Sequence, residues 1–209
     1  MNLKTAEMDL NKKIYYGFST LILASGMSER MGQPKALLRW DDSMTFLEKI
    51  VMEYLDSGCE RVICIVNREV MPHVRDLEDI PHVRLVLNEH PRWGRMYSVR
   101  LGLENTPGSD FCFIQNVDNP FINRKVIAKI MDSADSDAWC SPEFEGIGGH
   151  PVLLPKSIIR KLLEEKNIVA TLQEVLWASP KKSVEMDNDI VLRNINTPID
   201  YQNLFNRLV

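Results

Sequence analysis

Leu21-Ile22-Leu23-Ala24-Ser25-Gly26-Met27-Ser28-Glu29-Arg30-Met31-Gly32-Gln33-Pro34-Lys35 runs from an apolar stretch straight into a loop of small residues and two cations. The apolar part, Phe18–Ala24, has the length and the Leu and Ile content of a strand buried on both faces, so the loop leaves that strand's C-terminal end. Small residues let the backbone approach a ligand closely, and Gly26 and Gly32 permit tight or left-handed turns. Backbone N–H groups in such a loop can point at phosphate oxygens, while Arg30 and Lys35 can neutralise their charge. The same residue types also suit an ordinary βα turn with solvated charges. Neither G-x-x-x-x-G-K-[ST] nor G-x-G-x-x-G occurs in the stretch, so neither common phosphate-loop fingerprint applies.

Outward from this loop, short apolar runs alternate with amphipathic stretches. Arg61–Val66, Val83–Leu87 and Phe111–Val117 read as further buried strands, and Phe46, Leu47, Ile50, Val51, Tyr54 and Leu55 fall at helical spacing. Met96–Leu103 and Arg124–Met131 read as further helices. Strand and helix at this cadence predict an α/β fold: three layers, Rossmann-like, around a mostly parallel, doubly wound sheet. After Asp118 the rhythm changes. Residues 137–154 hold Pro142, Gly146, Gly148, Gly149 and Pro151, which suits a loop or β-hairpin excursion ending in a strand at Val152–Leu154. Helices over Ser157–Glu165 and Val169–Ala178 and a strand near Ser183–Met186 follow. Residues 1–17 lack a sustained apolar period and are expected to be an N-terminal extension to a single domain over 18–209.

Composition narrows the classes. The chain has 209 residues, 44% hydrophobic and 26% charged, and its 25 Lys+Arg against 29 Asp+Glu leave a formal charge of −4. That balance offers no broad cationic surface for a nucleic acid. No apolar run approaches the ~18–20 residues that cross a bilayer, and the polar start MNLKTAEMDLNKK lacks the apolar stretch of a signal peptide, so no membrane partner and a cytoplasmic location are expected. Cys59, Cys64, Cys112 and Cys140 stand apart without a C-x-x-C pair and read as reduced core residues. Asp118 follows an apolar strand and precedes Asn119-Pro120, which places a hard carboxylate at the edge where such sheets bind ligands. There it can hold Mg²⁺, which shares oxygen ligands with substrate phosphates, or serve a turn or helix cap.

The run L-A-S-G-x-S-x-R-M-G-x-x-K-x-L-L resembles the L-A-A-G-x-S-x-R-M-G-x-x-K-x-L-L signature of the MobA-like nucleotidyltransferases, which include the molybdenum-cofactor cytidylyl- and guanylyltransferases. Three further matches follow in order, so the resemblance extends from about Thr20 to Tyr201. It implies the nucleotide-diphospho-sugar transferase type of fold, with Arg30 and Lys35 on the triphosphate, Arg30 near the departing pyrophosphate, and the Ala24, Ser25 and Gly26 backbone along the nucleotide. Asp118 corresponds to the Asp of a D-x-P motif, the main metal ligand. Gly94 and Ser98, in Trp93–Leu103, match a G-x-x-x-S-x-x-x-G-L element and become candidates for base contact, although Ser also suits a helix cap. Gly148–Leu154 resembles a G-x-P-V-L-F/L element, which makes His150 an acceptor-side candidate or a structural residue of a Gly-rich loop.

Asn194–Tyr201 is similar to the D-I-D-T-P-E-D-Y ending of cytidylyl-type members with Asn at both first acidic positions, and its N-x-N-T-P also resembles guanylyl-type members. Asn196 is a candidate neutral Mg²⁺ ligand, while Thr197 and Pro198 suit a helix start. A G-D-x-G-A-R segment usual in cytidylyl-type members is replaced by Glu164-Glu165-Lys166-Asn167-Ile168-Val169-Ala170-Thr171-Leu172. The Gln33-Pro34-Lys35 spelling is similar to the cytidylyl branch, whereas Ser25 matches neither branch. The resemblance therefore implies Mg²⁺-dependent transfer of a nucleoside monophosphate from an NTP, CTP ahead of GTP, to a small phosphorylated acceptor of molybdopterin type, with release of pyrophosphate. The alternatives are a sugar-phosphate, polyol-phosphate or phosphocholine nucleotidyltransferase, or a non-catalytic nucleotide-binding protein of the same fold.

Overall fold

Side chains along a strand point alternately to opposite faces, and here both faces are apolar. In the computed structural model, which describes residues 17–106, 108–164 and 171–205, the first strand β1 is Phe18–Ala24 and is followed by helix α1, Phe46–Asp56. Strands β2 (Arg61–Val66) and β3 (Val83–Leu87), helix α2 (Arg95–Leu103), strand β4 (Phe111–Asn116) and helix α3 (Arg124–Asp132) complete the first half. Strands β5 (Trp139–Phe144), β6 (Ile147–Gly148) and β7 (Val152–Pro155) come next, then helices α4 (Lys156–Glu164) and α5 (Leu172–Trp177). Strand β8 (Lys181–Glu185) and helix α6 (Pro198–Phe205) end the described chain.

Ile22, Val62, Cys64, Phe111 and Phe113 turn to one face and bury against Phe46, Ile50 and Tyr54 of α1 and Ile127 and Ile130 of α3. Leu21, Ile63, Ile65, Cys112 and Ile114 turn to the other face and meet Val99 and Leu103 of α2, Ile158 and Leu162 of α4, and Leu172 and Leu176 of α5. The result is the expected three-layer α/β arrangement. Fully burying one such aliphatic side chain contributes about 1.5–3 kcal/mol, so the two apolar faces supply the main drive for this layering. Helix α1 starts where it does because Thr45 and Glu48 form a reciprocal cap, Thr45 N–H donating to the Glu48 carboxylate and Glu48 N–H to Thr45 Oγ1. Thr171 and Glu174 repeat that cap at α5.

The eight strands form one sheet in the order β3-β2-β1-β4-β7-β5-β6, with β8 beside β5. Strands β3, β2, β1 and β4 are mutually parallel, and β7 joins β4 antiparallel. The excursion over 137–154 is a β5–β6 hairpin whose chain returns as β7, while β8 pairs parallel to β5 from Trp139↔Lys181 to Glu143↔Glu185. That pairing starts β8 two residues earlier than the sequence spacing predicts. Strand β4 likewise stops at Asn116, short of the expected Val117. There the buried Gln115 side chain donates to the carbonyls of Asn116 at 2.7 Å and Asn119 at 3.0 Å and draws the chain into a turn. Helix α4 begins at Lys156 and α5 at Leu172; residues 1–16 of the expected extension, and 165–170 of the departing acceptor-side segment, lie outside the described residues.

Because β1 leads to β2 on one side while β4 lies on the other, the chain reverses direction of winding between β1 and β4. Ala24 pairs with Val66 and Leu23 with Asn116, so the segments after β1, β2 and β4 leave the sheet at one edge. Ligands of open α/β sheets bind at this kind of switch point.

Candidate active site

A cleft of about 640 Å³ opens at that edge, within the range usual for small-molecule sites. The loop after β1 forms one wall. Met31 is buried and anchors it, Met31 N–H and Gly32 N–H both donate to Ser28 O, and Lys35 N–H donates to Ser28 Oγ. The left-handed positions are Gly32 at φ +77° and Ser28 at φ +52°. Gly26 is not one of them. A Cβ at Gly26 would meet nothing within 4 Å, consistent with its place on the open cleft wall.

Lys35 is folded back into the cleft, with its ammonium 2.8 Å from Asn196 Oδ1 and 3.2 Å from Asp118 Oδ2. Arg30 reaches the same Asn196 oxygen at 3.5 Å. Four candidates from three separate stretches of the chain thus meet at one point. The C-terminal partner is delivered by a backbone clamp: Ile195 N–H donates to Asp118 O at 2.7 Å, and the buried Asn119 side chain donates to the carbonyls of Ile190, Val191 and Arg193. Asp200 accepts from Asn196 N–H and Thr197 N–H while Thr197 Oγ1 accepts from Asp200 N–H, so Thr197 caps α6 and Pro198 opens it, as the sequence suggests. Those hydrogen bonds, that of Asn196 N–H foremost, hold the Asp200 carboxyl below the usual range and occupy it in capping. The Asp118 side chain caps no helix, since α3 is capped by Asn123. Its Oδ1 is buried with no hydrogen-bond partner among the described residues. Asp118 and Asn196 are therefore hard oxygen donors that converge at one point of the cleft, of the type Mg²⁺ takes.

The opposite wall is a buried polar network. Ser25 Oγ lies 3.1 Å from Ser98 Oγ, and Asn88 Nδ2 donates to both hydroxyls at 3.3 and 3.0 Å. Ser98 sits inside α2 and not at its start, so it does not cap the helix; Gly94 is the N-cap residue, at φ +92° and without a side-chain cap. Asn67 Nδ2 donates to the carbonyls of Ser25 and Gly26 and ties the loop to the end of β2. All the nucleotide-side candidates, Ala24, Ser25, Gly26, Arg30, Lys35, Gly94, Ser98, Asp118 and Asn196, line this one cleft.

His150 lies elsewhere. It lines a second cavity of about 510 Å³ with Trp93, Trp139, Trp177 and Lys181, and Gly94 and Arg95 line both spaces. Burial, and then the positive charge of Arg95, push the His150 imidazole down to about 4, so it is neutral at physiological pH; its Nδ1 has no hydrogen-bond partner among the described residues. Asn67, Asn88, Arg95 and Asn119 escape motif reading. One signal could have found two of them, since Asn67 and Asn88 are the first polar residues after β2 and β3, the position Ser25 holds after β1.

A cleft at a β1/β4 switch point, with clustered cations facing the Asp118 carboxylate, has chemistry that suits a phosphorylated ligand. The MobA-like NTP transferase domain model matches residues 20–178. The chain belongs to this family. Across the MobA-like family it is 26% identical over 181 residues to the molybdenum cofactor cytidylyltransferase of Escherichia coli, covering 87% of this chain and 92% of that one. To a probable molybdenum cofactor guanylyltransferase of Bacillus cytotoxicus it is 26% identical over 194 residues, covering 88% and 94%. Among solved structures, a nucleotidyl transferase from Methanothermobacter superposes with a TM-score of 0.76 at 21% identity, covering 91% and 96%. The 4-diphosphocytidyl-2C-methyl-D-erythritol synthase of Anaerococcus prevotii does so at 0.71 and 14% identity, covering 92% and 97%. These structures share the nucleotide-diphospho-sugar transferase type of fold. Among the described residues no helix is long and apolar enough to cross a membrane.

Proposed function

We propose that this MobA-like protein is a Mg²⁺-dependent cytidylyltransferase that moves CMP from CTP to a phosphorylated acceptor of molybdopterin type and releases pyrophosphate. The observation that carries this reading is the convergence of Lys35, Arg30, Asp118 and Asn196 at the switch-point cleft. The orphaned Asp118 Oδ1 and the Asn196 carboxamide fit a hard cation, and they are the residues that would hold it. When bound, Mg²⁺ supplies positive charge to triphosphate oxygens.

The chain's own residues do the rest by position and charge. Lys35 exchanges its present partners for triphosphate oxygens, and Arg30 offsets the charge that grows on the departing pyrophosphate. The acceptor approaches from the second cavity, so that its phosphate oxygen meets the α-phosphorus at the junction of the two spaces. No side chain becomes covalently attached. CTP is placed first because the Gln33-Pro34-Lys35 spelling and the full-length likeness to the E. coli cytidylyltransferase agree. GTP is the second reading, favoured by Asn194-Ile195-Asn196-Thr197-Pro198 and the Bacillus cytotoxicus relative. A cytoplasmic location is part of the same reading.

The test is pyrophosphate release from CTP or GTP with Mg²⁺ and molybdopterin cofactor, beside methylerythritol phosphate as a competing acceptor. Release with CTP and molybdopterin cofactor is expected. Release with methylerythritol phosphate alone would replace the acceptor, and release with GTP alone would replace the donor.

A further inference from the structure

The second cavity differs from the nucleotide cleft in its chemistry. Three tryptophans line it; Trp177 is 72% exposed and Trp93 65% exposed, with one Trp93 ring face stacked on His90 at 3.9 Å, so flat aromatic surface remains open to a ligand. Its charged lining among the described residues is Arg95 and Lys181, both cationic. Lys181 is already engaged: its ammonium lies 3.6 Å from Glu143 Oε2 and 5.5 Å from the centre of the Trp139 ring. Arg95 has no carboxylate within ion-pair distance among the described residues, and the charge that acts on it is Asp118, across the nucleotide cleft. Arg95 is an exposed residue opening α2, and its hydrogen-bond partner among the described residues is the neutral Asn116 carboxamide at the end of β4. That bond orients the guanidinium while leaving other N–H donors of the fork free. Arg95 also lines both cavities, at the point where an acceptor and the α-phosphate must meet.

We propose that Arg95 takes the acceptor's phosphate at the junction of the two cavities and thereby selects phosphorylated over unphosphorylated acceptors. This rests on the nucleotidyltransferase reading above. A planar fork suits two phosphate oxygens at once and leaves the third free to attack. In the step so positioned, that oxygen forms a bond to the α-phosphorus, the bond from the α-phosphorus to the α–β bridging oxygen breaks, and its electron pair leaves on pyrophosphate. Arg95 gives up no proton. The indole-lined cavity receives the ring body of the acceptor.

The experiment is titration calorimetry of the full chain with 6-hydroxymethylpterin monophosphate and with 6-hydroxymethylpterin, a pair that differs only by the phosphate. Wild type is expected to bind the monophosphate more tightly, on the order of 10- to 100-fold, the range for hydrogen bonds to charged groups. Arg95→Ala and Arg95→Gln lose that preference and keep the affinity for the unphosphorylated pterin, and Lys35→Ala keeps the preference. Retention of the preference in either Arg95 variant, its loss in Lys35→Ala, or its absence from wild type would overturn the assignment. CTP titrated separately with Mg²⁺ distinguishes the two levels: failure of CTP to bind counts against the nucleotidyltransferase reading, whereas the pterin pair speaks to Arg95.

Discussion

Lys35 donates to Asp118 and Asn196 across the mouth of the cleft, with its side chain only 12% exposed. In the proposed reaction an ammonium so placed would act on charge developing on the phosphates, where it is worth most in the transition state. Lys35→Ala and Asp118→Ala are each expected to lower the rate of pyrophosphate release on the order of 10²- to 10³-fold in a folded protein, measured as kcat beside a circular-dichroism check. Asn196→Asp places a second carboxylate at the Lys35 ammonium beside Asp118, so the Mg²⁺ concentration for half-maximal activity should fall; a Mg²⁺ titration of both proteins reads it. His150 makes a prediction about stability. Its imidazole titrates near 4 in the folded chain against about 6.5 when unfolded, so between those values the unfolded state holds the extra proton. Wild type should therefore lose stability as the pH falls through this window, by up to ~1.4 kcal/mol per pH unit. Urea denaturation at pH 7, 6 and 5 in metal-free buffer should show a shallower loss in His150→Asn.

Elements bring the residues together, and their packing leaves little room for change. Helix α2 crosses the sheet at Gly102, where an added Cβ would lie 2.8 Å from Leu21 Cδ1 and 3.1 Å from Ile65 Cδ1. Both are fully buried, so Gly102→Ala should cost about 1–3 kcal/mol in urea denaturation and, by moving α2, disturb the Ser98–Ser25–Asn88 network. Asn119 acts between elements. Its amide joins the turn after β4 to three carbonyls ahead of α6, so Asn119→Ala should destabilise by about 1–3 kcal/mol and weaken the hold on Asn196. The elements themselves were the most legible part of the sequence. Phe18–Ala24, Arg61–Val66 and Val83–Leu87 are short, mostly apolar runs rich in Val, Ile and Leu, and the structure has strands at those same bounds. Less legible were ends fixed from outside the run. Gln115 reads as one more strand residue, yet its buried side chain turns the chain after Asn116.

For the whole molecule, the order β3-β2-β1-β4 decides where chemistry can occur. It places the loop after β1, the Asp118 turn and the segment before α6 at one edge, so residues separated by 161 positions share a hydrogen bond at 2.8 Å. The motif residues of this cleft were readable because each lies in a local signature. Arg95 was not, since its partner Asn116 is set by strand register and carries no local pattern. The second cavity was illegible for the same reason: residues 93–96, 139–152 and 171–181 meet there only through the β5–β7–β8 arrangement. In the proposed function the cleft binds a nucleoside triphosphate with Mg²⁺ through the Lys35, Arg30, Asp118 and Asn196 cluster. The most direct test is the thermal stability of the purified protein with CTP, GTP, ATP and UTP in turn, each with and without Mg²⁺, beside Asp118→Ala. Ligand at one hundred times its Kd adds about 2.7 kcal/mol to stability, a readily measured shift. A Mg²⁺-dependent rise with CTP that Asp118→Ala loses is expected; no rise with any nucleotide, or an equal rise in the variant, would rule out nucleotide binding through this cluster.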